Sequence, residues 1–534
     1  MALFMTGQRW VALFSFSAGA YATQDCEETP TPADGLKIAS VTIENNNIFD
    51  SERADEDRWI HNVANSLHIK TTSETIENQL LFKPGDLYSQ QLVDENERLI
   101  RSNRYINDVE IKPKQNCEGE VELKVISTDN WTLTPSVSAG HSGGVTRTSF
   151  EIKEANLFGS GIEVKLKSDS NEFRDEEKFF FKDNNLFGSR KQLAINIDRN
   201  SDGYLHGLSL QQPFYQLTAA SAWSVSLQES RSEEPIYEHG LVTSKLGQDN
   251  QYLNLSYGWL SELGENSVSR YRLGWSQSDT NYFASDEFPA TVVPDAKMTN
   301  YPYVEYQYVE EEYIEKTNFL VMGSIEDIAL GDNLTITAGW QDEAFNSSDT
   351  GLIFSSGYSF GSQFGDNTLG LFDFYYGQQI NQSNLDPYDF SANAKIFYFN
   401  DEDNSYQFSA SLSLSGDRQS QEVYYLGGDT GLKGYPIRYQ DGDRRAVFSV
   451  EKRNYFKWYP LRLLKLGFAS FVEAGSAWDS NEQADFIGDV GFGLRLVSTR
   501  QSDAKVLHFD LAFPLSERDQ VDSYQLYIKA MSQF

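Results

Sequence analysis

The sequence predicts an all-β transmembrane barrel of about sixteen antiparallel strands, preceded by one small α+β domain. Three observations carry that prediction. From Trp131 to Phe534 apolar and polar residues alternate with a period of two, as strands with one apolar and one polar face do. The first 22 residues have the layout of a secretory signal, which puts the mature chain outside the cytoplasm. The last strand, "YQLYIKAMSQF", carries Tyr524, Leu526, Ile528 and Phe534 on one face with no following element to cover them, so lipid or another chain is expected to do so.

The N-terminal stretch "MALFMTGQRW VALFSFSAGA YATQ" has one cation, Arg9, an apolar run from Trp10 to Phe16 and a small-residue site ending at Ala22. That run is too short for a bilayer span, and residues 23–35 then read as a linker. Cys26 and Cys117 are the two cysteines, and in an oxidising compartment such a pair is more often a disulfide than a metal site. No metal-ligand cluster and no Ser/His/Asp spacing suggest catalysis, so the chain is expected to be no enzyme and to need no cofactor. The net charge of −34 argues against nucleic acid as a partner, which would need a basic face; acidic loops on a solvated surface would give the same number.

Residues 36–128 mix both periodicities. "IASVTIEN" reads as a strand and "RWIHNVANSLHI" as a helix. A turn at Pro84-Gly85 then precedes a Ser89-capped helix carrying Leu92, Leu99 and Ile100. "INDVEIK" and "EVELKVIS" follow as alternating strands around Cys117-Glu118-Gly119, giving the order β-α-α-β-β.

Residues 131–534 alternate throughout: Phe408, Ala410, Leu412 and Leu414 interleave with serines, and Leu507, Phe509, Leu511 and Phe513 with His508 and Asp510. A soluble sandwich and a membrane barrel share this pattern; Trp275, Trp340 and Trp478, read as strand-end aromatics, favour the barrel. Roughly 25 residues per strand and connection give about sixteen strands. "NLFGSG" (156–161) echoes at "NLFGSR" (185–190) as two turns, by hairpin repetition or by coincidence. Pro135 falls in the first strand, which must pair with the last at a seam ending on Phe534. A proline deletes a ladder donor there, so the seam is expected to be openable unless that donor faces no partner.

"GGDTGLKGYP" (427–436) interrupts this pattern with Gly427, Gly428, Leu432, Lys433, Gly434 and Tyr435. A cation inside a barrel needs a compensating acid, and "FVEAGSAW" (471–478) places Phe471, Glu473 and Gly475 on one strand face. Glu473 has the charge, Gly475 the space and Phe471 the ring to receive Lys433, although an ordinary lumen carboxylate would read the same.

Leu432-Lys433-Gly434-Tyr435 after Gly427-Gly428 resembles the inward-folded loop motif of the BamA/TamA and two-partner-secretion outer-membrane superfamily. "FVEAGSAW" is similar to the strand that receives that loop, "VGFGLRLVS" and "HFDLAFPL" to its penultimate strands, and residues 36–128 to one POTRA domain. The resemblance implies a sixteen-stranded barrel in a Gram-negative outer membrane, in contact with its lipid, with the POTRA domain in the periplasm. It implies a polypeptide client that is inserted or translocated by a monomeric barrel without nucleotide or catalytic residue. Three features depart from the family: Lys433 stands where an arginine is usual, one POTRA domain is present, and the last strand has no glycine to kink it. The alternative is a passive porin, which needs a wide lumen and no loop docked across it.

Overall fold

A computed structural model describes residues 32–534 except 54, 55, 57, 143, 144, 172, 173, 239, 240, 287, 291, 383–385, 402, 417–422, 503 and 532–534. The signal segment, Cys26 and Phe534 therefore lie outside the described residues. Cys117 is disulfide-bonded, and the sequence holds one other cysteine.

The first domain runs β1 (Ile38–Asn46), α1 (Trp59–Leu67), α2 (Ser73–Glu77), α3 (Gln90–Arg101), β2 (Ile106–Gln115) and β3 (Val121–Asp129). Its sheet has the order β1-β3-β2, with β1 parallel and β2 antiparallel to the central β3. Strict alternation in β3 buries Val121, Leu123 and Val125 against Ile38, Ile76, Phe82 and Ile100, which form one core. Two details differ from the sequence reading. The five-residue α2, too short to show a helical period, is an extra element, capped where the Thr72 side chain accepts from the Thr75 N–H. Along α3 the buried stripe is Val93, Asn96 and Ile100 rather than Leu92 and Leu99, and Ser89 makes no side-chain cap. Instead the Gln90 N–H donates to Asp34 Oδ1 at 3.0 Å.

Among the described residues, twenty strands close into one barrel, each beside its sequence neighbour and the last (Gln525–Met531) beside the first, β4 (Leu133–Ser142). The expected sixteen is corrected by the length of the repeat. Strand plus connection averages about 20 residues, because strands of seven to twenty-three residues are joined at one end by mostly short turns. Faces follow the register. Val137 pairs with Phe150 and Pro135 with Ile152, and Val137 and Phe150 stand exposed on the outside with Phe408, Phe448, Val472, Leu494 and Phe509. Inward positions hold Thr134, Lys153, Asp169, Glu473, Arg495 and Asp510, all buried. A sandwich would pack its apolar faces together; here they face outward over the whole circumference, as lipid requires. Trp340 and Trp478 close their strands, whereas Trp275 sits mid-strand in Ser267–Ala284.

Connections alternate between the two ends of the barrel. The end that carries the first domain has the turns at 157–161 and 186–190, where Phe158 and Phe187 take left-handed φ of 56° and 55°. These echoed turns hold α2 between them. The Thr72 N–H and Thr75 hydroxyl donate to Gly159 O (3.0 and 2.8 Å), and Arg190 donates to Leu80 O at 2.6 Å. His61 Nε2 lies 2.8 Å from Leu461 O, and Arg500 3.3 Å from Glu56, on the other side of the mouth. The domain thus sits across the opening, touching several rim turns.

Candidate functional site: a docked loop and a lumenal hairpin

From the opposite end, residues 424–442 fold back against the inner wall. Two short strands, Tyr424–Leu426 and Gln440–Gly442, pair at the base, and the glycine-rich segment forms the tip. Gly427 needs to be glycine twice over, since φ is +122° and a Cβ would fall 2.1 Å from Pro436 O. The Gly428 N–H is shared between Leu432 O (2.9 Å) and Tyr435 O (3.0 Å), which curls the tip. Leu432 and Tyr435 are fully buried with Leu426, Ala477 and Ile487. This is an apolar anchor inside a polar lumen.

The anchor presents Lys433 to the strand Leu464–Trp478, whose period of two turns Phe471, Glu473 and Gly475 inward. Lys433 Nζ lies 2.5 Å from Glu473 Oε1 and 4.1 Å from the Phe471 ring centroid, and the Lys433 N–H donates to Oε2 at 3.0 Å. Gly475 lies against the same anchor: its Cβ would stand 2.7 Å from Ala446 O and 3.5 Å from Leu426. The six loop residues and three wall residues expected from sequence are thus brought together.

Asp489 was missed. It pairs across strands with Glu473, and its Oδ2 accepts the Gly434 N–H at 2.6 Å. Two carboxylates directly opposite each other repel, so this pair is tolerable only with donors between them. Lys433 and the Gly434 amide are those donors. A side chain at Gly434 would put Cβ 2.7 Å from Asp489 Cβ, so the donor can approach only because the residue is glycine. Tyr435 Oη, 2.9 Å from Gly488 O, ties the tip to the same strand. The signal was present: Asp489 shares inward parity with Arg495 in "DVGFGLR", but only strand register puts it opposite Glu473.

The charged wall continues below. Glu451 accepts from Arg453 (2.7 Å) and lies 3.3 Å from Arg495, which also pairs with Asp510. Arg453 in turn donates to Phe319 O at 3.2 Å, and Phe319 belongs to a segment that sequence reading did not single out. The connection 311–332 is a hairpin, Tyr313–Thr317 with Ile325–Ala329, entering the lumen from the domain end. The Phe319 ring lies tilted against Phe397 with centroids 4.4 Å apart, and Met322 packs with Tyr455, Ala469, Val497 and Val506. Its base meets α3: Arg98 pairs with Glu311, and Arg101 lies 3.0 Å from Glu315 and 2.7 Å from Asp327. The run "FLVM" in a long connection at the tight-turn end was the available clue.

At the seam, the Ala155 N–H donates to Thr132 O, so hydrogen-bonded pairs of β4 with the strand Val145–Leu157 fall at Thr132, Thr134 and Ser136. By the same parity the backbone of Pro135 faces the last strand. Pro135 has no N–H to donate on that side, and Phe534 lies outside the described residues.

Among the described residues no group of three or more His, Cys, Asp or Glu is placed to hold a metal ion. No family model matches the sequence, and no curated protein matches it. Solved structures do align. CdiB from Escherichia coli is 12% identical with a TM-score of 0.49, over 92% of this chain and 76% of that one. CdiB from Acinetobacter baumannii is 12% identical, TM-score 0.46, over 92% and 74%. BamA from Haemophilus ducreyi lacking POTRA domains 1-3 is 11% identical, TM-score 0.39, over 92% and 83%.

Proposed function

We propose that this chain is a barrel of the BamA/TamA and two-partner-secretion superfamily, set in a Gram-negative outer membrane, that inserts or translocates a polypeptide. The observation that carries the proposal is the docked loop: Lys433 and the Gly434 amide compensating Glu473 and Asp489 on the wall. Residues 1–22 are the signal segment, and the β1-to-β3 domain is a POTRA domain in the periplasm. The chain acts without cofactor or catalytic residue and as a monomeric barrel in contact with lipid.

Capture of an extended client by strand addition needs a free sheet edge. On β2 the Ile111 N–H is taken by Glu97, and Arg101 approaches Val109 O. That leaves β1 beyond Ile38, whose own N–H and carbonyl are bonded to Asp86 O and the Gly85 N–H, as the capturing edge, beside a cavity of about 640 Å³ lined by Val41, Ile43, Leu80 and Phe82. The missing N–H at Pro135 supports a route of exit between the first and last strands. Cysteine pairs locking β4 to the last strand are expected to abolish client handling. Unchanged activity after locking would remove the gate from the proposal.

The porin reading is disfavoured by two segments in the lumen, the loop from outside and the hairpin from the domain end. In planar bilayers the intact protein is expected to conduct little and a variant lacking residues 427–440 to conduct more. Stable open conductance of the intact chain would favour the porin instead.

A further inference from the structure

The inner wall is polar at most inward positions, but one region near the domain end is not. Leu369, Leu371, Phe397 and Phe399 point inward there, and next to them Tyr455, Ala469, Val497 and Val506. In a water-filled lumen these side chains would form an apolar patch with nothing to exclude solvent from it. The 311–332 hairpin covers it, with Phe319, Ile328 and Leu330 on the first group and Met322 on the second.

The hairpin is built to leave as a unit. Its tip satisfies its own backbone, since the Glu326 carboxylate accepts the N–H groups of Phe319, Leu320 and Val321 at 3.2, 2.8 and 3.1 Å. The polar ties to the wall are made to backbone carbonyls, which any peptide offers: Arg453 donates to Phe319 O, and the Gly361 N–H donates to Leu330 O at 2.9 Å. At the base, the ion pairs of Glu311, Glu315 and Asp327 join the hairpin to α3. They border a cavity of about 600 Å³ between the domain and the rim, so a shift of the domain breaks them together.

We propose that the 311–332 hairpin is the resident occupant of a lumenal groove for an apolar polypeptide segment, and that a client segment binds by taking its place when the domain moves. The proposal rests on the polypeptide-handling reading and names the client feature that is recognised: a short run of aromatic and aliphatic residues with a free carbonyl for Arg453. Apparent affinity for such a segment is the intrinsic affinity scaled by the fraction of molecules in which the hairpin is unseated.

The test uses the full chain in nanodiscs and a fluorescent peptide of residues 317–330 (TNFLVMGSIEDIAL), with a scrambled peptide of the same composition. Two variants release the groove: Phe319→Ser with Met322→Ser, and replacement of residues 313–329 by a short Gly-Ser turn. Both are expected to bind the peptide at least tenfold more tightly than the unaltered protein, and the scrambled peptide at least tenfold more weakly. Equal binding by variant and unaltered protein, or by both peptides, overturns the proposal. A photo-crosslinking residue at Val497 in the otherwise unaltered chain serves if the variants misfold. It should trap the hairpin without peptide and the peptide at saturation; trapping the hairpin in both cases overturns the groove. No client is present in either experiment, so failure here leaves the transport reading standing, and a failed transport assay leaves the groove standing.

Discussion

The two segments that enter the lumen are held by opposite physics. The outer loop is fixed by a buried ammonium and two backbone donors on paired carboxylates, where each group has one acceptable position. The inner hairpin is fixed by apolar burial and by ion pairs at the rim. Directional buried charge punishes partial release, because undocking leaves Glu473 facing Asp489 uncompensated. Apolar contact is non-directional, and another apolar segment can replace it. The loop is therefore a fixed part of the wall, and the hairpin a removable one.

The largest expected effect comes from breaking the loop's charge pair. Glu473→Ala strands the Lys433 ammonium and should cost about 3–5 kcal/mol of docking, read as protease cleavage at Arg438 and raised bilayer conductance. Lys433→Arg keeps the charge and should stay close to the unaltered protein in both assays. If Glu473→Ala leaves the loop protected, the charge pair is not what holds it. Gly434→Ala comes next, at about 1–3 kcal/mol for forcing a methyl against Asp489, read as a lower unfolding temperature of the loop-docked barrel.

The hairpin should respond more weakly. Arg101→Glu breaks its two ion pairs with the hairpin and one with Asp108, each worth about 1 kcal/mol or less, and is expected to raise amide exchange in residues 313–329 several-fold. Adding Asp327→Arg should restore protection; failure to restore it would mean that the base pairs do not seat the hairpin. The smallest effect concerns pH. Burial holds Glu95 and Glu97 of α3 and Asp108 of β2 above the usual carboxylate range. The folded domain then binds protons more tightly than the unfolded chain, so these groups add stability as pH falls through their raised values toward the ordinary range of about 4. Intrinsic-rate-corrected amide protection of α3 should rise slightly from pH 7 to pH 5, and a fall would reverse the sign assigned here.

Legibility followed the range of the interaction. The motif residues Lys433, Glu473, Phe471 and Gly475 were readable because charge, ring and space are properties of single residues on one strand face. Asp489 was not, because its place opposite Glu473 depends on the register between Leu464–Trp478 and Ile487–Ser498. Glu451, Arg453 and Arg495 were likewise ordinary inward charges until neighbouring strands joined them. The short α2 escaped because five residues cannot display a helical period.

By itself the amino-acid sequence determined the two-part organisation and the apolar side of each strand, and it marked one loop cation and one wall acid as candidates to pair. Each follows from local backbone periodicity or from the charge of named side chains. Tertiary structure alone decided that twenty strands among the described residues close the barrel, that residues 311–332 turn inward, and that the domain lies across the mouth. The physical reason is that strand number, register and the path of a long connection are fixed by hydrogen bonds and packing between residues far apart in the chain, which no local pattern encodes.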